Sequence, residues 1–303
     1  MSETSRRGPL REILALLARP VRRARGRRGV VLQPYRGYGS PTRIFVIGRA
    51  FWQRTDAAGG AADGASELRD ILRRIRRRPV RAARIRARFY GAEHLVETDG
   101  DGYFRVDMAP GAPPPADRLW HRLELAMEVP EAVSACAEVY IPPAASRLVV
   151  ISDIDDTVMH TGVANKAAML WHLFVADAAS RTVFPGVAAL YRALHGGAGG
   201  GEMNPILYVS RAPWGIYEVL EEFFQRHDIP VGPILFLREW GLSWKHPLPR
   251  RAVDHKRHLI EAMMRLYDDR PVVLIGDSGQ RDPEIYREIV AAHPGRVRAV
   301  YIR

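Results

Sequence analysis

Between residues 30 and 146 apolar side chains recur at every second position. Leu123, Leu125, Met127 and Val129 alternate with Arg122, Glu124, Ala126 and Glu128, and Val133, Ala135, Ala137, Val139 and Ile141 form a second series. Ile85, Ala87 and Phe89 repeat the pattern, and Asp99-Gly-Asp-Gly102 reads as a hairpin turn. Successive residues of a strand face opposite sides, so each run predicts a strand with one buried face. Short strands at this spacing predict a small antiparallel β-sandwich. One Arg-rich helix is expected to interrupt it, about 66–78, with Leu68, Ile71, Leu72 and Ile75 as its buried stripe and Pro79 as its stop. The Pro-rich stretch 109–115 reads as a loop and Pro142-Pro143 as a linker.

After residue 147 the rhythm changes. Five short, almost wholly apolar runs (148–152, 206–209, 234–237, 272–275 and 297–302) are separated by helical patterns at 187–194, 215–226, 255–267 and 283–292. Continuous apolar strands alternating with helices predict a parallel sheet covered on both faces. In such sheets the working groups lie beyond the carboxyl ends of the strands.

Before residue 30 the chain reads as a basic arm. Leu10, Ile13, Leu14 and Leu17 recur at helical spacing within 10–21, which fits either a membrane-surface helix or a solvated tail. The 303 residues carry a net charge of +11, but nine Arg in 1–29 and ten in 66–88 account for more than all of it, so the rest of the chain is net acidic. Only three of 45 basic residues are lysine (Lys166, Lys245 and Lys256), which raises the information in a lysine and lowers it in any one arginine cluster. A single cysteine, Cys136, excludes an intramolecular disulfide and a cysteine-ligated zinc cage, and points to a reducing compartment. No apolar run approaches the ~20 residues of a membrane span, and no signal-peptide pattern opens the chain, so a cytoplasmic protein is expected.

The chemistry is concentrated where the apolar runs end. The first is followed by Asp153-Ile-Asp-Asp-Thr157, in which Asp153 and Asp155 point the same way while Ile154 faces the core. Two carboxylates held close suit one nucleophile and one general acid/base, although a surface acidic loop or a helix cap would use the same residues. The second run ends at Ser210 and the fourth at Gly276-Asp277-Ser-Gly-Gln-Arg-Asp282. Acidic residues beyond neighbouring strands, with no soft ligand nearby, favour a hard cation such as Mg²⁺. Lys256, at the start of the helix before the fourth strand, could reach the same edge as a compact positive charge.

This order resembles the haloacid-dehalogenase (HAD) superfamily of phosphohydrolases over about residues 147–303. Asp153-Ile-Asp-Asp-Thr-Val-Met-His-Thr-Gly162, Val209-Ser-Arg-Ala-Pro-Trp214 and Gly276-Asp-Ser-Gly-Gln-Arg-Asp-Pro-Glu-Ile-Tyr286 resemble, more closely, the actin-patch-protein-type phosphatidate phosphatase catalytic domain family, as does Pro34-Tyr-Arg-Gly-Tyr-Gly39. The resemblance implies a Rossmann-like domain whose second and fourth strands flank the first, with a small cap insert at about 163–184. It implies that Asp153 becomes an aspartyl-phosphate and that Asp155 protonates the leaving alkoxide and then activates water. Ser210 would contact a phosphoryl oxygen, and Lys256 would offset charge. Asp153, the backbone carbonyl of Asp155 and Asp277 would hold Mg²⁺, with Asp282 in support. Thr157 would orient the loop, and Arg211 and Trp214 would either line the substrate mouth or, for the aromatic, serve packing.

The expected reaction is Mg²⁺-dependent hydrolysis of a phosphomonoester. Phosphatidate leads by resemblance, a soluble phosphomonoester is the alternative, and peripheral contact with an anionic membrane would follow from a lipid substrate. An Arg-rich nucleic-acid or anionic-surface module is the competing class, disfavoured because its basic segments lie outside the motif region. Gly276-Asp-Ser-Gly279 does not signal a serine protease, since Gln280 replaces a glycine and no Ala-His-Cys precedes it. The apolar run 167–175 reads as a buried helix or as a lid offering apolar surface to an acyl chain.

Overall fold

In a computed structural model, the structure describes residues 29–53, 77–154, 186–210, 214, 217–236, 252–278 and 281–303. The basic arm, nearly all of the expected 66–78 helix and the cap insert lie outside the described residues. At the end of that helix, Arg78 stands in a strand instead, where Arg78–Pro79 pairs with Trp52 and Phe51.

Among the described residues fourteen strands build two sheets. The first holds β1 (Val30–Pro34), β2 (Gly37–Gly39), β3 (Ile44–Trp52), β4 (Arg78–Pro79), β5 (Arg84–Phe89), β6 (Ala92–Glu97), β7 (Tyr103–Met108), β8 (Trp120–Met127) and β9 (Val133–Tyr140). Their order is β1-β3-β2-β9-β8-β5-β6, with β4 and β7 also on β3, and every pairing is antiparallel except β2 with β9. The period-two pattern explains the arrangement. In β8, His121, Leu123, Leu125 and Met127 are buried, while Arg122 and Glu124 are exposed. Val30, Val46, Phe89, Phe104, Leu123 and Val139, from six strands, share one apolar core.

Two expectations are corrected here. Val129 does not continue the inward series, because β8 ends at Met127 and Val129 is 71% exposed in the turn beyond. The turn at Asp99–Gly102 forms, with Asp99 Oδ1 accepting the backbone N–H groups of Asp101 and Tyr103. It does not close a hairpin, since β6 pairs with β5 while β7 pairs with β3. A short turn fixes local geometry but not which strand each arm pairs with, and that choice is made by burial.

The second sheet is wholly parallel. It contains β10 (Val149–Asp153), β11 (Ile206–Ser210), β12 (Ile234–Phe236), β13 (Val272–Gly276) and β14 (Val297–Ile302), in the order β12-β11-β10-β13-β14. Among the described residues four helices cover it: α1 (Val187–Gly196), α2 (Tyr217–Arg226), α3 (Ala252–Leu266) and α4 (Asp282–Ala292). Alternation along β10 sends Val150 toward α1 and α2, and sends Val149 and Ile151 toward α3 and α4. Asp153 shares the parity of Val149 and Ile151. Strands two and four of this sheet, β11 and β13, both pair with β10, so three strand ends meet at one rim.

Candidate active site

Asp153 ends β10, one register step beyond the Ser152–Ile275 pair, and so stands beside the Gly276 end of β13. Lys256 and Asp282 reach it from the two helices on the same face. Lys256 lies on the buried stripe of α3, in helical register with Leu259, Ile260, Met263 and Met264, and its side chain is 1% exposed. Asp282 occupies the matching position on α4, ahead of Ile285, Tyr286 and Ile289. Two amphipathic helices thus each carry one ion at an apolar position, and the sheet end brings them together.

The Lys256 ammonium bridges the two carboxylates, donating to Asp153 Oδ2 and Asp282 Oδ1. Asp282 Oδ2 accepts the backbone N–H of Asp277 at 3.2 Å. The Tyr286 ring lies 5.8 Å from Lys256 Nζ, and its hydroxyl donates to the Ile275 carbonyl at 2.9 Å. Gly276 is needed for this packing: a Cβ there would fall 2.3 Å from Asp282 Oδ2 and 2.8 Å from Tyr286 Cε2. Burial, reinforced by the Asp153 charge and opposed by Lys256, raises the Asp282 carboxyl above the ordinary carboxylate value.

A buried lysine between two carboxylates costs desolvation that one ion pair does not repay, so such a cluster is weak evidence for stability and a fair pointer to chemistry. Ser152 supports the strand end: its Oγ donates to the Asp153 carbonyl at 3.2 Å and lies 2.5 Å from the Tyr191 hydroxyl. Neither Ser152 nor Tyr191 is part of the sequence-based set. The signal for Tyr191 was faint, an aromatic on a helix whose partner is known only once α1 packs on β10.

The other expected residues divide as follows. Ser210 ends β11, fully buried, one step past Val209, the register partner of Asp153. Its parity is that of Ile206 and Tyr208, which face α1 and α2. Asp277 follows β13 and is half-buried. Trp214 is 5% exposed and packs with Tyr35, Tyr217 and Phe236, the packing role rather than the mouth of the site. Asp155, Thr157 and Arg211 lie outside the described residues.

The donor set suits a hard cation. Asp153 and Asp277 offer carboxylate oxygens at adjacent strand ends, and among the described residues no histidine or thiol joins them. Both Asp282 oxygens are engaged by Lys256 and the Asp277 N–H, which suits this carboxylate to holding the lysine more than to direct ligation. Among the described residues no three acidic, histidine or cysteine side chains cluster as a complete metal cage, and Asp155, an expected contributor, lies outside them.

The described end of the second basic segment behaves differently. On β5, Arg88 pairs with Glu93 at 2.7 Å, and Arg86 reaches Glu93 at 3.2 Å and Glu128 at 3.5 Å. That part of the run is spent on exposed cross-strand pairs, which solvent screens and which add little to stability.

Sheet order thus brings the strand-end carboxylate of Asp153, the Asp282 carboxylate and the buried Lys256 together at the carboxyl rim of a parallel sheet. A family model described as the catalytic domain of phosphatidate phosphatase APP1 matches residues 148–303. The chain belongs to this family. It is 31% identical over 154 residues to phosphatidate phosphatase APP1 of Saccharomyces cerevisiae, covering 50% of this chain and 25% of that one. It is 27% identical over 216 residues to an uncharacterized protein of Schizosaccharomyces pombe, covering 70% of this chain and 34% of that one. The chain therefore spans between a quarter and about a third of the length of these relatives. A ferredoxin-NADP+ reductase from Plasmodium falciparum superposes with a TM-score of 0.21 at 7% identity, over 90% of this chain and 95% of that one, a likeness too slight to define a shared fold.

Proposed function

We propose that this protein is a Mg²⁺-dependent phosphomonoester hydrolase acting through an aspartyl-phosphate, with phosphatidate as its substrate. The observation that carries the reading is the Lys256 ammonium bridging Asp153 and Asp282 at the rim where β10, β11 and β13 end. Membership of the phosphatidate phosphatase APP1 catalytic-domain family supports the substrate. The reading takes residues 30–146 as a β-sandwich-like domain and 147–303 as a Rossmann-like HAD domain with a cap insert.

In the first step an Asp153 carboxylate oxygen attacks phosphorus, the ester P–O bond breaks, and the leaving alkoxide takes a proton from Asp155. In the second, Asp155 removes a proton from water, the water oxygen attacks phosphorus, and the bond to Asp153 breaks to release inorganic phosphate. Lys256 fixes the Asp153 carboxylate in place and offsets negative charge beside the phosphoryl group. Asp282 holds Lys256, and Ser210, whose side chain has the parity of the α1/α2 face, would reach a phosphoryl oxygen beyond the strand end. Asp153, the Asp155 carbonyl and Asp277 would hold Mg²⁺, which when bound supplies charge neutralisation for the anionic phosphoryl group. A phosphatidate substrate would be met at an anionic membrane surface.

The test is phosphate release from phosphatidate in mixed micelles and from soluble monoesters, with Mg²⁺ or EDTA. Release from phosphatidate that needs Mg²⁺ and is lost in Asp153→Asn supports the reading. Faster turnover of a soluble monoester would redirect the substrate, and release unchanged by EDTA or by Asp153→Asn would overturn the mechanism.

A further inference from the structure

The segment Pro34-Tyr-Arg-Gly-Tyr-Gly39 is where the antiparallel sheet enters the other half of the molecule. Tyr35 stacks on Trp214, with ring centroids 4.2 Å apart and planes 22° from parallel, and meets the Tyr217 ring at 4.7 Å. The backbone N–H of Arg36 donates to the Tyr217 hydroxyl at 2.9 Å. Burial pushes that hydroxyl's pKa up, so it stays neutral and available as an acceptor. The Arg36 guanidinium joins Glu221 of α2 to Glu138 of β9, and Gln33 Nε2 donates to Glu218 Oε1 at 3.0 Å. Three residues on, Tyr38 is buried in the opposite cluster, with α3 and α4. Gly37 leaves room for this crossing, since a Cβ there would fall 2.4 Å from Val46 Cγ2.

These contacts fall on the stretch that follows Ser210. The chain leaves β11 at Ser210 and enters α2 at Tyr217, and the two aromatic side chains described over that interval, Trp214 and Tyr217, are both held by Tyr35 or Arg36. The Trp214 indole N–H is buried with no acceptor among the described residues. Its ring packs against Tyr35, Tyr217 and Phe236, aromatic contacts that add to area burial.

We infer that Tyr35 and Arg36 are positioning residues for the Ser210 side of the rim, so that the antiparallel sheet completes the phosphoryl-binding wall and does more than support it. The inference rests on the phosphohydrolase reading above. It gives the Pro34–Gly39 segment, more than 100 residues from the first strand-end aspartate, a part in the chemistry: Ser210 keeps its place only if Trp214 and Tyr217 further along the chain cannot drift, and displacements near 1 Å cost up to about 100-fold in rate.

The test uses the full chain with Tyr35→Ala, Tyr35→Phe, Ser210→Ala and the Tyr35→Ala/Ser210→Ala double variant, p-nitrophenyl phosphate as substrate and inorganic phosphate as inhibitor. Tyr35→Ala is expected to lower kcat/KM about tenfold and to weaken phosphate inhibition by a similar factor. Tyr35→Phe should restore both to within about twofold, and the double variant should be little worse than Ser210→Ala, because both act through one contact. Losses that multiply in the double variant, or unchanged phosphate inhibition in Tyr35→Ala, would overturn the inference while leaving the hydrolase reading intact. Amide exchange gives a readout without turnover. Tyr35→Ala should speed exchange at the end of β11 and the start of α2 while sparing β13 and α4, and a uniform or absent change counts against the inference. A wild-type chain that hydrolyses no monoester removes the hydrolase reading instead, and the exchange pattern still decides whether Tyr35 holds the segment.

Discussion

At the amino rim of the parallel sheet Asn204 is fully buried and uncharged. Its Oδ1 accepts the backbone N–H groups of Arg147 and Leu148 at 2.7 and 3.2 Å, and its Nδ2 donates to the Leu194 carbonyl and to Glu202. At the carboxyl rim, one strand length away, the buried cluster is made of Lys256, Asp153 and Asp282, all ionisable, with the neutral Ser152 and Ser210 at the neighbouring strand positions. Both clusters tie strands to helices, yet they carry different costs. A neutral amide that meets all its partners repays its desolvation, whereas buried ions repay theirs poorly. The difference separates a rim whose buried polar group repays its cost from one whose buried ions do not, the rim where the proposed chemistry sits. His121 in the antiparallel sheet is of the neutral kind: Tyr90 and the Arg118 carbonyl take its two ring nitrogens, at 2.9 and 3.2 Å.

The contrast can be broken by substitution. Asp153→Asn keeps the shape but removes the attacking oxygen, and phosphate release should fall by more than about 10³-fold with the fold retained on circular dichroism. Lys256→Met leaves two buried carboxylates without their cation, so unfolding in urea should show a loss of about 3–5 kcal/mol together with loss of turnover. Adding Asp282→Asn should return part of the stability and none of the activity, a split a purely structural cluster would not show. Asn204→Ala should do the reverse, costing about 1–3 kcal/mol in the same urea titration while kcat of the folded protein stays within about twofold.

The smallest effect concerns pH. Burial holds His121 below its ordinary value of 6.5. Above that pH the histidine is neutral in both states and its contribution is fully present. As pH falls below it, the unfolded chain takes up a proton first and stability declines until the folded form is protonated too. His121→Gln should flatten this part of a Tm-against-pH curve, and an unaltered slope would show that His121 does not set it.

Much of this contrast was legible before any coordinates. Continuous apolar runs marked β10, β11, β12 and β13 to within a residue or so, because strands buried on both faces need no polar positions; the run of β14 was marked too, although it lies at the sheet edge with Val300, Tyr301 and Ile302 exposed. The scarcity of lysine drew attention to Lys256. Its place on the apolar stripe of α3, and that of Asp282 on α4, carried a further signal, since charges at core positions need partners. What stayed hidden depends on pairing between distant segments. The turn at Asp99–Gly102 was readable, but the choice of β3 as partner for β7 was not. Tyr35 and Trp214 are 179 residues apart in the chain, and nothing local to either announces the stack. Val129 continued an alternation beyond the point where its strand had ended.

The central claim is that Asp153 carries the phosphoryl group. Wild-type protein turning over a phosphomonoester with Mg²⁺, quenched in borohydride and digested for mass spectrometry, reports it directly, because an acyl phosphate is reduced there to homoserine. Reduction confined to position 153, and absent without substrate, is the expected result. Turnover with position 153 unmodified, or with reduction at another carboxylate, would contradict the account.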